Sequence, residues 1–316
     1  MLQRGMVRLA RASAFKRVGN NSNHFSSLRF RSVKDSSFFS VYPKVGLVAA
    51  TASTSIACAF CSAHNEDSLA VSKHRNNASP SVVLYQYEPC PYCCKVKAVL
   101  DYYKIPYEVV EVNPLTKKET KAFTDYRKVP IARINNEVIV DSSAIISKLR
   151  ELMNESKSLK QSDEARVEED HWRQWVDQKL IVLAPPNIYR TVPEALQAFD
   201  YCLTEGNFTL LERRVAKYAG AMIMYIIAKR SKKKYNVDDE RQAIYSALTS
   251  WIKAIGDERE FLGGHEPNMA DLSVFGVLRA MHGLDTYNDI MRETNIEPWF
   301  TRMTAKVGAS SRIVSN

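Results

Sequence analysis

The stretch that decides the fold is VVLYQYEPCPYCCKV, residues 82–96. Five of its first six residues are apolar or aromatic, which predicts a buried strand that ends before Glu88 and Pro89. Cys90 then takes the N-cap position of a helix, and Pro91 takes the first helical position, where its missing N–H costs nothing. Apolar residues at helical spacing continue the helix beyond this stretch.

The cysteines of this stretch predict a reactive thiol. At a helix N-terminus, unpaired amides and the helix dipole stabilise a thiolate, which lowers the pKa of Cys90 from its free value of about 8.5. Cys93 lies one turn further on, where it can form a disulfide with Cys90 or resolve a mixed disulfide. A Cys-x-x-Cys motif among alternating strands and helices is typical of thioredoxin-like proteins, and a buried structural pair is the alternative. Tyr92 places a hydroxyl beside the thiol and completes the set of candidate catalytic residues.

The positive charge of the chain is concentrated at one end. The net charge is +9, yet residues 1–45 carry nine Lys or Arg and one acidic residue, so the remainder is close to neutral. This distribution argues against a nucleic-acid partner. A hydrophobic content of 45% in 316 residues is enough to bury one large core or two ordinary ones.

Residues 1–44 predict an organellar transit peptide. The first 34 residues contain eight Arg or Lys, many Ser and no acidic residue, and Arg4, Arg8 and Arg11 fall on one helical face. Such a leader is typical of mitochondrial import, and a disordered basic tail is the alternative.

Residues 45–80 contain a weakly apolar segment and a polar linker. Residues 45–63 carry no charge over 19 positions, a length just sufficient to cross a bilayer, although Ser and Thr interrupt them. They are either a membrane anchor or an unstructured part of the leader. Cys58 and Cys61 form a second Cys-x-x-Cys motif. The 28 residues that separate it from the first exceed the usual zinc-ribbon spacing, so no metal site is predicted.

Residues 81–155 predict a small α/β domain with the thioredoxin-like order of strand, helix, strand, helix, strand, strand and helix. Thr116 and Glu119 predict a capping box at the second helix. Residues 141–143 predict the cap of the last helix.

The rest of the chain predicts a helical domain. Residues 156–164 are a polar linker, and residues 165–316 show helical periodicity without a convincing strand. One amphipathic helix is predicted to end at Pro185 and Pro186. The run of residues 215–228, including its methionines, is apolar nearly all round, which predicts a central core helix.

A thioredoxin-like domain followed by an all-helical domain resembles the glutathione transferase superfamily. Val129 and Pro130 match the Val-Pro of that family, whose proline is cis and whose preceding backbone pairs with the cysteinyl part of glutathione. Residues 268–271 resemble its N-capping motif in the helical domain, which implies a structural role for Asp271.

The same resemblance implies where the rest of glutathione binds. Asp141 and Ser142 resemble the acidic residue and serine at a helix N-terminus. There the serine and the helix amides receive the γ-glutamyl carboxylate, and Asp141 pairs with the amine.

Within this superfamily, the closer resemblance is to the membrane-associated prostaglandin E synthases. It is carried by residues 90–93, 106–114, 126–130 and 186–191, and it covers residues 82–305. Tyr92 is a departure, since the mammalian proteins have Phe there. The resemblance implies an isomerase that opens the endoperoxide of prostaglandin H2 to give prostaglandin E2. It also implies a homodimer, a lipid or peroxide substrate, glutathione as cofactor, and haem held through the glutathione sulfur.

Two other functions are compatible with these residues. One is a glutaredoxin-type or transferase-type thiol enzyme that acts on disulfides or electrophiles and depends on Cys90, Cys93 and glutathione. The other is a non-enzymatic module that binds glutathione and haem, tethered to a membrane through residues 45–63.

Overall fold

The computed structural model describes residues 80–154, 162–206 and 208–314. The predicted transit peptide, the weakly apolar segment at residues 45–63 and most of the predicted interdomain linker lie outside these ranges. Within them, no helix has both the length and the apolar character that crossing a membrane requires.

A four-stranded sheet forms the first half of the described chain, with strand order β2-β1-β3-β4. The strands are β1 (Val82–Gln86), β2 (Glu108–Glu111), β3 (Ile131–Ile134) and β4 (Glu137–Val140). The β1–β2 pair is parallel, whereas the β1–β3 and β3–β4 pairs are antiparallel. A central strand buried on both faces explains the nearly continuous apolar run of β1.

Three helices connect or follow these strands: α1 (Pro91–Tyr102), α2 (Lys118–Lys121) and α3 (Ser142–Asn154). The observed order confirms the predicted thioredoxin-like arrangement. The capping box predicted for α2 is wrong. The Glu119 carboxylate instead accepts from the Asn113 amide at 3.0 Å, and the Asn113 side chain accepts from the Thr116 amide at 3.0 Å. The polar groups that would form the capping box therefore stabilise a turn at Asn113, and the helix begins only at Lys118.

The described residues from 162 onward are helical, and they are called the helical half below. Its elements are α4 (Asp163–Trp175), a π-helical turn (Val176–Leu180), α5 (Ile181–Ile188), α6 (Val192–Ala198), a 3₁₀ helix (Asp200–Leu203), α7 (Leu210–Lys234), α8 (Glu240–Ile255), α9 (Met269–Arg279), α10 (Asp285–Glu293) and α11 (Glu297–Val307). The prediction that a helix ends at Pro185 and Pro186 is wrong, because both lie inside α5. Two features stabilise the helix at these prolines. Most of α5 is buried, and the Asn187 side chain donates a hydrogen bond to the Leu183 carbonyl at 2.9 Å.

The expected core helix at residues 215–228 is also only partly correct. It is part of α7, and its small residues face inward. Its large side chains form an exposed stripe at helical spacing, in which Tyr218 is 60%, Met222 47% and Ile226 43% exposed. An apolar sequence all round a helix does not say which face is covered, so the exposed face could be found only from the packing.

One continuous apolar core joins the sheet side of α1 to the helical half. The closest approach is between α1 and α9, where a Cβ on Gly276 would lie 2.6 Å from the Lys95 Cα. Only glycine allows this separation, so the backbone of α9 supports the helix that begins at Cys90. Asp271 is fully buried and completes a capping box with Asn268 at the start of α9, which agrees with its predicted structural role.

Candidate active site

Cys90 lies at the N-cap of α1 with Pro91 at the first helical position, as the sequence predicts. Cys93 follows one helical turn later and is buried in the same apolar cluster against which Cys90 packs. Hydrogen bonding by the Cys93 thiol lowers the pKa of Cys90 against the opposing effect of burial, and the nearby backbone amides of Cys93 and Tyr92 and the charge of Lys97 lower it further. Cys90 is therefore the cysteine of this motif whose thiol ionises most readily, and the thiolate is the reactive form.

The two neighbouring cysteines have the opposite character. Cys93 is fully buried, and its burial together with the hydrogen bond to Cys90 raises its pKa well above the usual value. Burial also raises the pKa of Cys94, whose sulfur donates to the Glu88 carbonyl at 3.5 Å. Both thiols remain protonated at neutral pH, so Cys93 serves Cys90 as a hydrogen-bond donor.

Three tyrosines, Tyr92, Tyr126 and Tyr189, lie close enough to Cys90 for a charge on its sulfur to affect their pKa. Burial raises the pKa of Tyr92 and of Tyr189, and the neighbouring Cys90 raises both further. Burial likewise raises the pKa of Tyr126, with Asp141 and Cys90 adding to the effect. All three phenols are neutral at physiological pH and can donate hydrogen bonds.

The Val129–Pro130 peptide bond is cis, as the family resemblance implies. Val129 belongs to a small buried cluster with Tyr85, Cys93 and Ile131, and Cys90 packs against the same cluster. The structure thus brings the predicted backbone site for a cysteinyl group next to the reactive thiol, although the two are separated by about forty residues of sequence.

Asp141 and Ser142 lie at the start of α3. Asp141 has a positive φ of 77°, and its carboxylate accepts from the Ser143 amide at 2.9 Å and the Ala144 amide at 3.4 Å. One of its oxygens therefore caps the helix. Ser142 is buried. The expected contacts of these two residues with glutathione remain predictions.

Asp177 is a residue of the site that sequence reasoning missed. It lies in the π-helical turn, a feature that often marks functional sites. One carboxylate oxygen pairs with the buried ammonium of Lys95 in α1, and the other accepts from the Ser143 hydroxyl at 2.6 Å. Asp177 also raises the pKa of Tyr92. It therefore connects the thiol-bearing helix to the N-terminus of α3.

Asp177 carries no local sequence signal, because it lies in a predicted helix far along the chain from the Cys-x-x-Cys motif. Tyr189 belongs to the segment 186–191 that carries the family resemblance, but nothing in that segment indicates its proximity to Cys90. Only the packing of the helical half onto α1 brings both residues to the site. Tyr126 belongs to the segment 126–130 that carries the family resemblance, but the sequence assigns it no role at the thiol.

Comparisons with known proteins agree with this geometry. A family model described as glutathione S-transferase, N-terminal domain, matches residues 84–157. The chain is 42% identical over 269 residues to prostaglandin E synthase 2 of Mus musculus, which covers 71% of this chain and 70% of that protein. It is also 42% identical over 265 residues to prostaglandin E synthase 2 of Danio rerio, with 70% of each chain covered.

Among solved structures, the β-etherase LigF of Sphingobium sp. strain SYK-6 matches with a TM-score of 0.51 at 18% identity. The match covers 71% of this chain and 95% of that one. It shows the fold, which is the glutathione transferase fold: a thioredoxin-like half followed by a helical half.

Proposed function

The chain belongs to the prostaglandin E synthase 2 family, and on this basis we propose that it isomerises prostaglandin H2 to prostaglandin E2 with Cys90 as its reactive group. The observation that carries the proposal is the position of Cys90 at the N-cap of α1, directly before Pro91, where its surroundings lower the pKa of its thiol. A thiolate stabilised in this way is both a nucleophile and a base at neutral pH.

The isomerisation is balanced without any external oxidant or reductant. A base removes the proton from the ring carbon that bears one peroxide oxygen, and the C–H electrons form the ketone as the O–O bond breaks. The second oxygen takes up a proton and becomes a hydroxyl group. We assign proton removal to the Cys90 thiolate or to a glutathione thiolate beside it. The neutral phenols of Tyr92, Tyr126 and Tyr189 are candidate hydrogen-bond donors to the oxygen that gains charge.

Glutathione is the cofactor that the site suits. The match to a glutathione S-transferase N-terminal domain supports this assignment. Val129 before the cis Pro130 offers a backbone partner next to Cys90, and the start of α3 offers Ser142 and the free oxygen of Asp141. When bound, glutathione would supply a second thiol to the site. Loss of glutathione binding in Ser142→Ala would support the assignment, and unchanged binding would reject it.

A thiol enzyme acting on disulfides or electrophiles is the alternative that a specific observation favours. Cys90 and Cys93 are both free, lie one helical turn apart and pack in the same small cluster, which is the arrangement of a dithiol that can form a disulfide. Such an enzyme would turn over a glutathione-mixed disulfide and would need Cys93 for any dithiol mechanism.

Haem binding is the remaining expectation from the family resemblance. Among the residues that the structure describes, no three metal-ligating side chains lie together. The resemblance implies that the glutathione sulfur would be the ligand of the iron. A Soret band that appears only when glutathione and haem are both added would support this, and no band would reject it.

We further propose that the protein is a homodimer and that residues 1–44 direct it to mitochondria, with residues 45–63 as the membrane attachment. The dimer is supported by the exposed apolar stripe of α7, defined by Leu211, Val215, Tyr218, Met222 and Ile226. The targeting is supported by the basic, acid-free composition of the leader. Import into isolated mitochondria with and without residues 1–44 would test it.

Product analysis separates the two enzymatic functions. The full chain is incubated with prostaglandin H2, with and without glutathione, and the products are separated. A yield of prostaglandin E2 above the spontaneous breakdown supports the isomerase. Spontaneous products alone, together with turnover of a mixed disulfide, would reject it in favour of the thiol-transfer enzyme.

A further inference from the structure

A cluster of buried polar side chains lies beneath the turn that carries Cys90. Gln86 is fully buried at the end of β1, and Glu111 is only 8% exposed at the end of the neighbouring strand β2. The Gln86 amide nitrogen donates to the Glu88 carboxylate at 2.5 Å and to the Glu111 carboxylate at 3.3 Å. Lys97, buried in α1, donates to the Glu88 carboxylate at 2.8 Å.

This cluster holds two carboxyl groups and a single buried cation. Lys97 pairs with Glu88, and although burial alone would raise the pKa of Glu88, the charge and hydrogen bond of Lys97 hold it below its usual value. No cation pairs directly with Glu111 among the described residues. Burial raises the pKa of Glu111 to about 8, and the negative charge of Glu88 contributes to that rise. One proton therefore stays in the cluster at neutral pH.

The helical half seals Glu111 from solvent. A Cβ on Gly206 would lie 3.2 Å from the Glu111 Cβ, and Gly206 has a positive φ of 77°, so glycine both permits the turn and lets it pack against the Glu111 side chain. Arg213 holds the turn by donating to the carbonyls of Glu205 at 3.0 Å and Gly206 at 2.7 Å.

The charged and titratable groups around Glu111 come from every element packed against it. Those in the first half of the chain are Glu88 and Lys97. In the 3₁₀ helix, Tyr201 and Cys202 interact with Glu111, and burial raises the pKa of both, so both are neutral. Arg312 lies 3.9 Å from the Glu88 carboxylate, on the solvent side. Lys97 lowers the pKa of Glu111, but it pairs directly with Glu88, and the effect of burial on Glu111 outweighs it.

The cluster is coupled to Cys90 through the turn of residues 87–90. The Glu88 amide donates to the Glu111 carboxyl at 2.8 Å, and the Cys90 amide donates to the Tyr87 carbonyl at 3.0 Å. Lys97, which helps to stabilise the Cys90 thiolate, is the same cation that faces Glu88 and Glu111. A new negative charge on Glu111 would therefore oppose the effect of Lys97 on the thiolate.

We propose that Glu111 is a positioning residue that keeps a proton beneath the Cys90 turn, and that loss of this proton weakens the stabilisation of the Cys90 thiolate. At pH values at which Glu111 is protonated, the positive charge of Lys97 stabilises the Cys90 thiolate without opposition from Glu111. At higher pH, the ionised Glu111 makes the thiolate more basic and hence intrinsically more nucleophilic. The alkylation rate of the thiolate should rise by about threefold for each tenfold increase in its basicity, because nucleophilicity follows basicity with a coefficient of about 0.4–0.5.

The test is the pH profile of Cys90 alkylation in the full chain. Iodoacetamide reacts with the protein between pH 5 and 10, and the modification of Cys90 is followed by site-resolved mass spectrometry. The wild type should show one step where Cys90 ionises and a second step near pH 8. Glu111→Gln keeps the hydrogen-bond acceptor for the Glu88 amide but cannot ionise, so it should retain the first step and lose the second.

Glu108→Gln is the matched control, because Glu108 lies exposed on the same strand and should leave both steps in place. Identical profiles for the wild type and Glu111→Gln would overturn the proposal. If Glu111→Gln does not fold, Glu88→Gln provides the test. With one carboxylate fewer opposing Glu111, the second step should move to lower pH, and an unmoved step would overturn the proposal.

The inference rests on the proposed reactivity of Cys90, but its test requires no prostaglandin. An unreactive Cys90 in the wild type would reject the proposed function. A reactive Cys90 with no second step would reject only the role of Glu111.

Discussion

The carboxylate of Asp177 in the helical half pairs with the ammonium of Lys95 in the helix that begins at Cys90. Lys95 is almost completely buried, and its charge has no other ion-pair partner among the described residues, whereas the Asp177 side chain is 33% exposed. The same carboxylate holds the Ser143 hydroxyl. One side chain of the helical half thus fixes both the thiol-bearing helix and the start of α3.

Asp177→Asn should lower the free energy of unfolding by about 2 kcal/mol, because it leaves a buried ammonium without a charge partner. The estimate is below that for a fully buried pair, since Asp177 is partly exposed to solvent. Urea unfolding measures the change. Asp170→Asn is the control, because Asp170 forms a more exposed pair with Arg173 at 3.5 Å and should change stability by less than about 1 kcal/mol. Equal losses in both variants would contradict the role of Asp177.

Asp101 joins the last residues of the described chain to the first half. It is fully buried and accepts hydrogen bonds from Arg279 at 2.6 Å, the Tyr107 hydroxyl at 3.1 Å, and the Ser310 hydroxyl and Ser311 amide. Asp101→Ala should therefore cost about 3–5 kcal/mol in unfolding free energy.

Asp125→Ala is the control for Asp101, because the Asp125 side chain is fully exposed. Its unfolding free energy should stay within about 0.5 kcal/mol of the wild type. A loss below about 1 kcal/mol in Asp101→Ala would mean that the connection between the chain ends contributes little.

The protonated Glu111 makes stability depend on pH. Its ordinary pKa is 4.5, which applies to the unfolded chain, and burial raises it to about 8 in the folded protein. Between these pH values the folded protein binds more protons than the unfolded chain. The contribution of Glu111 to the free energy of unfolding is therefore fully present below pH 4.5 and is lost as the pH rises to 8. Glu111→Gln removes it. The difference in stability should shift in favour of Glu111→Gln by on the order of 5 kcal/mol across this range, and a pH-independent difference would contradict the prediction.

Met222→Glu should dissociate the proposed dimer, because it places a charge in the apolar stripe of α7. Sedimentation velocity should show the wild type as a dimer, with a dissociation constant at least about tenfold higher in the variant. Val167→Glu, at an exposed apolar residue of α4, is the matched control and should remain dimeric. A monomeric wild type, or a variant that dimerises as tightly as the wild type, would contradict the role of this stripe.

The part of the site that lies close together in sequence could be predicted, and the part that tertiary packing assembles could not. Cys90 and Pro91 carry their own signals of helix start, and the alternation of strands and helices identified the fold. Glu111 looked like an ordinary strand residue, since nothing in its neighbours tells that Gly206 closes over it. Its burial depends on a contact across almost one hundred residues of sequence.

Which face of a helix is buried also could not be predicted from the sequence. The composition of residues 215–228 indicated burial, yet the fold covers only the small residues of α7 and leaves Tyr218 and Met222 exposed. Conversely, Lys95 is a charged residue that the sequence would place at the surface, and it is buried because Asp177 neutralises it. In both cases the partner that decides the outcome is distant in the chain.

The central claim is that the Cys90 thiolate, and not the buried Cys93, carries out the isomerisation. The most direct measurement is the kcat of prostaglandin E2 formation for the full chain, Cys90→Ser and Cys93→Ser, with circular dichroism to show that all three are folded. Cys90→Ser should lose at least about a hundredfold. Cys93→Ser should retain most activity, because its hydroxyl can still donate to the Cys90 sulfur. Equal activity in the wild type and Cys90→Ser, or a greater loss in Cys93→Ser, would contradict the account.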